Sequence, residues 1–117
     1  GVKQPWLITN EQQALAVAGL WDVWEGGDIP LLSCTLVTTS AAPAFKPWHS
    51  RMPVMLAADE TAQWLDNSHA IAADDAIFRN ELKMPLLLQP LSRAVSNARN
   101  KDLAAMTGQG DQVRLSV

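Results

Sequence analysis

Cysteine is almost missing from this chain: Cys34 is the only one among 117 residues, so an internal disulfide is excluded and no CxxC pair exists to hold zinc. Histidine is nearly as scarce. His49 and His69 stand far apart, with no HExxH or EF-hand pattern around them, so zinc and calcium sites have no support and no metal or other cofactor is expected. Glycine-rich phosphate loops of the Rossmann or Walker type are absent, and no GxSxG elbow surrounds Ser40, Ser50 or Ser92. No apolar run is long enough to cross a bilayer, and the GVKQPW start lacks a signal-peptide pattern. A soluble, intracellular (cytoplasmic) protein without a membrane partner is expected. Basic residues are too few to balance the acids, and a net charge of −3 is the wrong sign for a general nucleic-acid binder. Binding of that kind needs a local patch. There is no internal repeat and no low-complexity segment.

What is present is apolar. A hydrophobic content of 48% is enough for a core, and the length allows one domain. Trp6–Thr9 reads as a short strand, and Ala14–Trp24 as a longer one in which Gly19 marks a bulge or a close backbone approach. Glu25-Gly26-Gly27-Asp28 is a turn, and the β-branched, apolar run Leu31–Thr39 pairs back as a hairpin, with Cys34 a buried, inert thiol. Ser40–Pro47 is an irregular connection, and Met52–Leu56 is the next strand. Asp59–Leu65 is a helix with Trp64 and Leu65 on its packed face and Asp59 and Glu60 in its first turn. Ala72–Leu82 reads as a second helix carrying Ala73, Ile77 and Phe78 at helical spacing. Its adjacent Asp74 and Asp75 point about 100° apart on a helix, which does not suit a metal site. Pro85–Gln89 is a strand and Lys101–Met106 a helical turn; Thr107–Val117 is expected to be a flexible tail, or an end set by where the chain was cut. Trp6, Trp21, Trp24 and Trp64 have apolar neighbours and are expected in the core.

The segment KPWHSRMPVML, Lys46–Leu56, carries the most chemistry. It places His49 between Trp48 and Arg51 at the mouth of a strand, and two-residue spacing in an extended chain puts the imidazole and the guanidinium on one face. That arrangement suits acid/base work beside an anion, and it equally suits a histidine that caps a turn. Lys46 and Arg51 form one basic group; Arg93, Arg99 and Lys101 form another. Together they would make a surface for a phosphate backbone, and apart they are a solvated face; their separation is not legible in the sequence.

Taken in order, KQPWLI (Lys3–Ile8), AGLWDVW (Ala18–Trp24), CTLVTTS (Cys34–Ser40), KPWHSRMPVML and QPLSRAVSNARN (Gln89–Asn100) closely resemble the second half of the SRAP domain, the SOS-response-associated peptidase family. The resemblance runs over residues 3–106. It implies an α+β fold, mainly an antiparallel barrel-like or bifurcated sheet with short peripheral helices; periodicity alone supports only strands plus helices. It also implies a protein that binds single-stranded DNA and traps abasic sites covalently through an N-terminal cysteine, whose amine and thiol close a thiazolidine ring on the sugar aldehyde. The family histidine corresponds to His49, a proton carrier. Arg51 corresponds to a phosphate ligand and Thr38 to a polar contact near the lesion. Arg93 and Asn97 are carried over as DNA contacts, although the SRxVxN run of Ser92, Arg93 and Asn97 equally suits a role in holding the core together; Trp48, for which base stacking stays open beside core packing, is expected as a further DNA contact.

The resemblance is incomplete. The MCGRF start, the NARAE segment and the glutamate of the F-x-EW segment belong to the family's first half and have no match here. Gly1 offers an amine without a thiol, and Cys34 a thiol without a free α-amine, so this chain alone is expected not to crosslink DNA. Its expected partners are abasic single-stranded DNA and an N-terminal half present as a separate chain, or a second copy of itself. The alternative reading is a non-catalytic scaffold or single-stranded-DNA-binding half-domain. Any peptidase activity of the intact family would be confined to removing the initiator methionine.

Overall fold

The computed structural model describes residues 3–117; the Gly1 amine lies outside them. The chain divides into two compact units, one formed by Leu15–Lys83 and the other by the stretch up to Ala14 together with Met84–Val117.

Three long segments of the first unit each pair with both of the others. Strands β2 (Gly19–Trp24) and β3 (Leu31–Leu36) form an antiparallel hairpin, and β4 (Thr38–Ser40) pairs with β5 (Arg51–Pro53). The segment before β2 turns instead to the one after β5, through a Val17↔Met55 bridge. The change of partners happens at a ring of three backbone bonds: Ala18 N–H to the Val54 carbonyl (2.8 Å), Val54 N–H to Val37 (2.9 Å), and Val37 N–H to Ala18 (2.9 Å). Buried backbone groups must be paired, and this ring satisfies them where no single ladder could. The expected strands Ala14–Trp24 and Leu31–Thr39 are therefore each split at the junction. Gly19 is not forced by crowding, since a Cβ there would meet only the Thr35 carbonyl at an ordinary 3.5 Å.

Ala18, Val54, Leu56 and Ile77 form the core around this ring, with Ala16, Val37, Trp64, Ile71 and Phe78 packed against them. Full burial of a side chain such as Ile77 stabilises by roughly 1.5–3 kcal/mol. Helix α1 (Ala58–Leu65) closes the core. Its Trp64 lies edge-on to Phe78, with ring centroids 6.0 Å apart, and donates its indole N–H to the Gly19 carbonyl at 3.1 Å. Leu65, expected beside it, is 72% exposed, because the next helical residue projects about 100° further round.

The helix expected over Ala72–Leu82 is only a single 3-10 turn, Ala76–Phe78. Side chains take the backbone groups that a longer helix would use. Asp75 accepts from the Ile77 N–H (2.9 Å), Arg79 donates to the Ala76 carbonyl (2.8 Å) and Lys83 to the Ile77 carbonyl (2.6 Å). Arg79 and Lys83 also clasp the buried Glu60, at 2.8 and 3.0 Å. Burial alone would raise the Glu60 pKa. The Ala57 N–H bond, Lys83 and Arg79 outweigh it and hold the carboxyl below its ordinary value.

In the second unit, β6 (Leu86–Pro90) lies between β1 (Trp6–Thr9) and β7 (Val113–Leu115), antiparallel to both. As the central strand it is the most buried, with Leu86 at 2% and Leu88 at 0% exposure. Residues 107–117, expected as a tail, thus supply a paired strand and the buried Leu115. The fold is α+β with antiparallel sheets and one α-helix; no closed barrel forms among the described residues.

Two further corrections concern the hairpin. Trp21 and Trp24, expected in the core, are 73% and 58% exposed, and Cys34, expected to be buried, is exposed. Trp6 and Trp64 are half-buried.

Candidate functional site

The β4–β5 ribbon sorts its side chains by register. Opposite residues of an antiparallel pair share a face, so Thr39 and Met52 point one way and Thr38, Ser40, Arg51 and Pro53 the other. Met52 is buried, and Thr39 donates its hydroxyl to the Phe78 carbonyl at 3.1 Å, which pins that face to the core. The opposite face is the exposed one.

On it, Arg51 reaches diagonally to Thr38. Its Nε donates to Thr38 Oγ1 at 3.0 Å, and Nη2 donates to Thr38 Oγ1 and to the Thr38 carbonyl, both at 2.9 Å. No carboxylate pairs with this guanidinium among the described residues. Arg51 is therefore a cation fixed in direction by neutral oxygens, with its charge uncompensated, which is the state suited to an anionic ligand.

His49 follows a run of tight turns after Ala42, in which the N–H groups of Phe45 and Lys46 bond the Ala42 carbonyl and those of Trp48 and His49 bond the Phe45 carbonyl. Phe45 is buried and holds Trp48 with ring centroids 6.5 Å apart. The exposed imidazole then folds back over Arg51. Its Nδ1 lies 3.0 Å from the Arg51 amide nitrogen and 2.9 Å from the Arg51 carbonyl oxygen. A bare Nδ1 accepts from the amide, and a protonated Nδ1 donates to the carbonyl, so either state of this nitrogen is held in one orientation. With Nδ1–H on the carbonyl, Nε2 gains or loses a proton without the ring turning. This contact is also the turn cap that the sequence allowed, so the two readings of His49 describe one geometry.

Thr38, Trp48, His49 and Arg51 all lie in the Leu15–Lys83 unit; Arg93 and Asn97 belong to the other. Arg93 is exposed in a 3-10 turn that Ser92 caps through the Ala94 N–H (3.3 Å), and Asn97 Oδ1 accepts from the Arg99 N–H (3.1 Å). Both hydrogen bonds are local turn caps. Ser40, which the sequence reading set aside for lack of an elbow, stands directly opposite Arg51 and faces the same side.

A concavity of about 560 Å³ lies elsewhere: Trp21, Trp64, Ile71, Phe78, Asp66 and His69 are among its lining, and none of the expected site residues is. On its rim the Ser68 hydroxyl bonds Asp66 at 2.6 Å and lies 2.8 Å from His69 Nδ1. Ser68 hydrogen bonds from its hydroxyl and amide hold the Asp66 carboxyl below its ordinary pKa. The trio is sequence-local and exposed, an Asx-type turn and not a nucleophile with its base. No cluster of three metal-ligating side chains occurs among the described residues, Asp74 and Asp75 included. No helix among them is long and apolar enough to cross a membrane.

Comparison with known proteins bears out the family resemblance. The SOS response associated peptidase (SRAP) family description matches residues 1–98. The chain is 34% identical over 94 residues to the abasic site processing protein HMCES of Xenopus tropicalis, covering 78% of this chain and 28% of that protein. It is 41% identical over 66 residues to the abasic site processing protein YoaM of Bacillus subtilis, covering 55% of this chain and 29% of the relative. The mouse HMCES protein is 33% identical over 96 residues, or 80% of this chain and 27% of its own length. The chain thus spans under a third of the length of these curated relatives.

Proposed function

The chain belongs to the SOS response associated peptidase (SRAP) family, and from that membership we propose that it carries the proton-transfer and phosphate-binding part of a site that traps abasic single-stranded DNA. The observation that supports this most is the pairing of His49, satisfied in either protonation state, with an uncompensated Arg51 anchored on Thr38.

In this reading Arg51 binds a backbone phosphate beside the lesion, and Thr38 both aims the guanidinium and offers a polar contact. His49 Nε2 carries the protons. The abasic sugar opens to its aldehyde, and the α-amine of an N-terminal cysteine from the family's first half adds to the aldehyde carbon. An imidazolium at His49 protonates the hydroxyl that leaves as water, giving the imine. The cysteine thiolate then adds to the imine carbon and the nitrogen takes up a proton, which closes the thiazolidine ring. Trp48 forms an aromatic wall next to His49. Arg93 serves as a separate phosphate contact, and Asn97, whose Oδ1 is engaged, presents its amide NH₂ to DNA.

The test joins this chain to an N-terminal half beginning Cys-Gly-Arg-Phe and follows crosslinking to an oligonucleotide with one abasic site. The wild-type fusion is expected to crosslink and the His49→Ala fusion to do so far more slowly. Equal rates would remove the catalytic role. Salt-dependent binding of plain single-stranded DNA, with no preference for the abasic strand, would replace it with the scaffold reading.

A further inference from the structure

The exposed face of the β4–β5 ribbon carries four side chains, Thr38, Ser40, Arg51 and Pro53, and the guanidinium among them uses its forked edge within the protein. Nε and Nη2, the two nitrogens that would grip a phosphate side by side, both donate to Thr38. Only Nη1 is left without a partner among the described residues. Arg51 by itself therefore holds an anion through one nitrogen, which attracts the charge and leaves its orientation loose. Seating a phosphate takes a second donor on the same face.

Ser40 stands directly opposite Arg51. Ala41 donates its amide to the Ser50 carbonyl at 2.9 Å, whereas the Arg51 amide and carbonyl both turn outward to His49 Nδ1. In an antiparallel ladder that alternation makes Ser40 and Arg51 the pair without mutual hydrogen bonds, with Cα atoms about 4.5 Å apart and side chains at their closest. Ser40 is exposed, and its hydroxyl has no partner among the described residues. The rest of the face offers less: Pro53 has no donor, and Thr38 Oγ1 already receives two N–H groups. Along β4, Ser40 and Thr38 lie about 7 Å apart, a gap that a phosphate fills with one hydrogen bond of about 2.8 Å on each side.

We propose that Ser40 is a second ligand to the backbone phosphate held by Arg51, its hydroxyl donating to one phosphate oxygen while Nη1 donates to another. The inference deepens the reading of Arg51 as a phosphate ligand and rests on it. Serine hydroxyls are ordinary partners of phosphate oxygens, and a neutral donor adds a hydrogen bond without displacing a counterion. Ser40 and Arg51 thus leave different signatures in binding.

The test uses this chain and fluorescence anisotropy with a single-stranded oligonucleotide that carries one tetrahydrofuran abasic analogue, circular dichroism checking the fold of each variant. Ser40→Ala should weaken binding about three- to fivefold, the loss of one exposed hydrogen bond to a charged group, and leave the slope of log K against log salt unchanged. Ser40→Thr keeps the hydroxyl and should bind like the wild type. The losses should also be coupled: Ser40→Ala made in an Arg51→Ala background should cost little, because the phosphate is then no longer seated. Wild-type affinity in Ser40→Ala, with Arg51→Ala weakened and its salt slope lowered, would overturn this inference and leave the reading of Arg51 standing. So would losses that simply multiply in the double variant, since the two side chains would then serve separate phosphates. Unchanged binding and slope in Arg51→Ala, or no binding by the wild-type chain, would remove the reading and this inference together.

Discussion

Arg51→Ala removes an exposed cation whose direction is fixed and which no carboxylate offsets among the described residues. The Arg51 side chain is exposed and bonds only Thr38, through three hydrogen bonds of 2.9–3.0 Å, while the ribbon itself is held by the buried Met52 and by the Val54 backbone bonds. The variant should therefore fold. If Arg51 neutralises one phosphate of a single strand, its loss lowers the slope of log K against log salt by about 0.7. Between about 50 and 200 mM salt that contact accounts for roughly a 2.6-fold fall in affinity, which the variant should no longer show. At the low-salt end the variant should bind about fivefold more weakly, the equivalent of roughly 1 kcal/mol for an exposed charged contact. Thr38→Val separates charge from aim. It removes the acceptor of two of the three bonds and keeps the cation, so its salt slope should stay at the wild-type value while affinity falls about two- to threefold as pre-orientation is lost. Fluorescence anisotropy with an abasic single strand at several salt concentrations measures both quantities. An unchanged slope in Arg51→Ala, or the same slope change in both variants, would refute the assignment of Arg51 as a phosphate ligand.

In the fusion with an N-terminal cysteine half, His49→Ala should reduce the crosslinking rate by about 10²–10⁴, the usual contribution of a positioned acid/base, as followed by gel shift under denaturing conditions. Glu60→Gln should destabilise the Leu15–Lys83 unit by about 3 kcal/mol in urea unfolding, because Lys83, 3% exposed at its side chain, loses its counter-charge. The folded Glu60 pKa lies below its ordinary value, so its stabilisation is complete above the ordinary carboxylate range and is lost as pH falls through the lower folded value. The wild type should weaken over that acid window, and Glu60→Gln should lack this component. Leu115→Ala should cost about 2 kcal/mol, measured by urea or thermal unfolding, at the low end for a buried leucine because Leu115 keeps 9% exposure. No loss would mean that β7 contributes nothing to the three-stranded sheet.

The elements read best from sequence were those whose signal is local. Trp6–Thr9, the strand near Pro85–Gln89 and the Asp59–Leu65 helix emerged within a residue of their observed bounds, and the Lys101–Met106 turn within two. Ala72–Leu82 failed because its apolar spacing is helical while Asp75, Arg79 and Lys83 compete for the backbone. Arg79 and Lys83 are in turn held by Glu60 of α1, which lies outside any local window around that stretch. Trp21, Trp24 and Cys34 were misplaced for a related reason: apolar alternation shows that a strand can be covered and says nothing of what covers it.

The sequence by itself determined the family and the strand-rich α+β character and singled out His49, Arg51 and Thr38 as candidates, since all of these reside in residue types and short spacings. Only the tertiary structure decided that Thr38 and Arg51, thirteen residues apart, are joined by three hydrogen bonds, that His49 is satisfied in both protonation states, and that the hairpin face stands open to solvent. Each of these depends on which strand lies beside which. That pairing is chosen at the Ala18–Val37–Val54 junction, where three distant segments meet and every buried amide must find a partner.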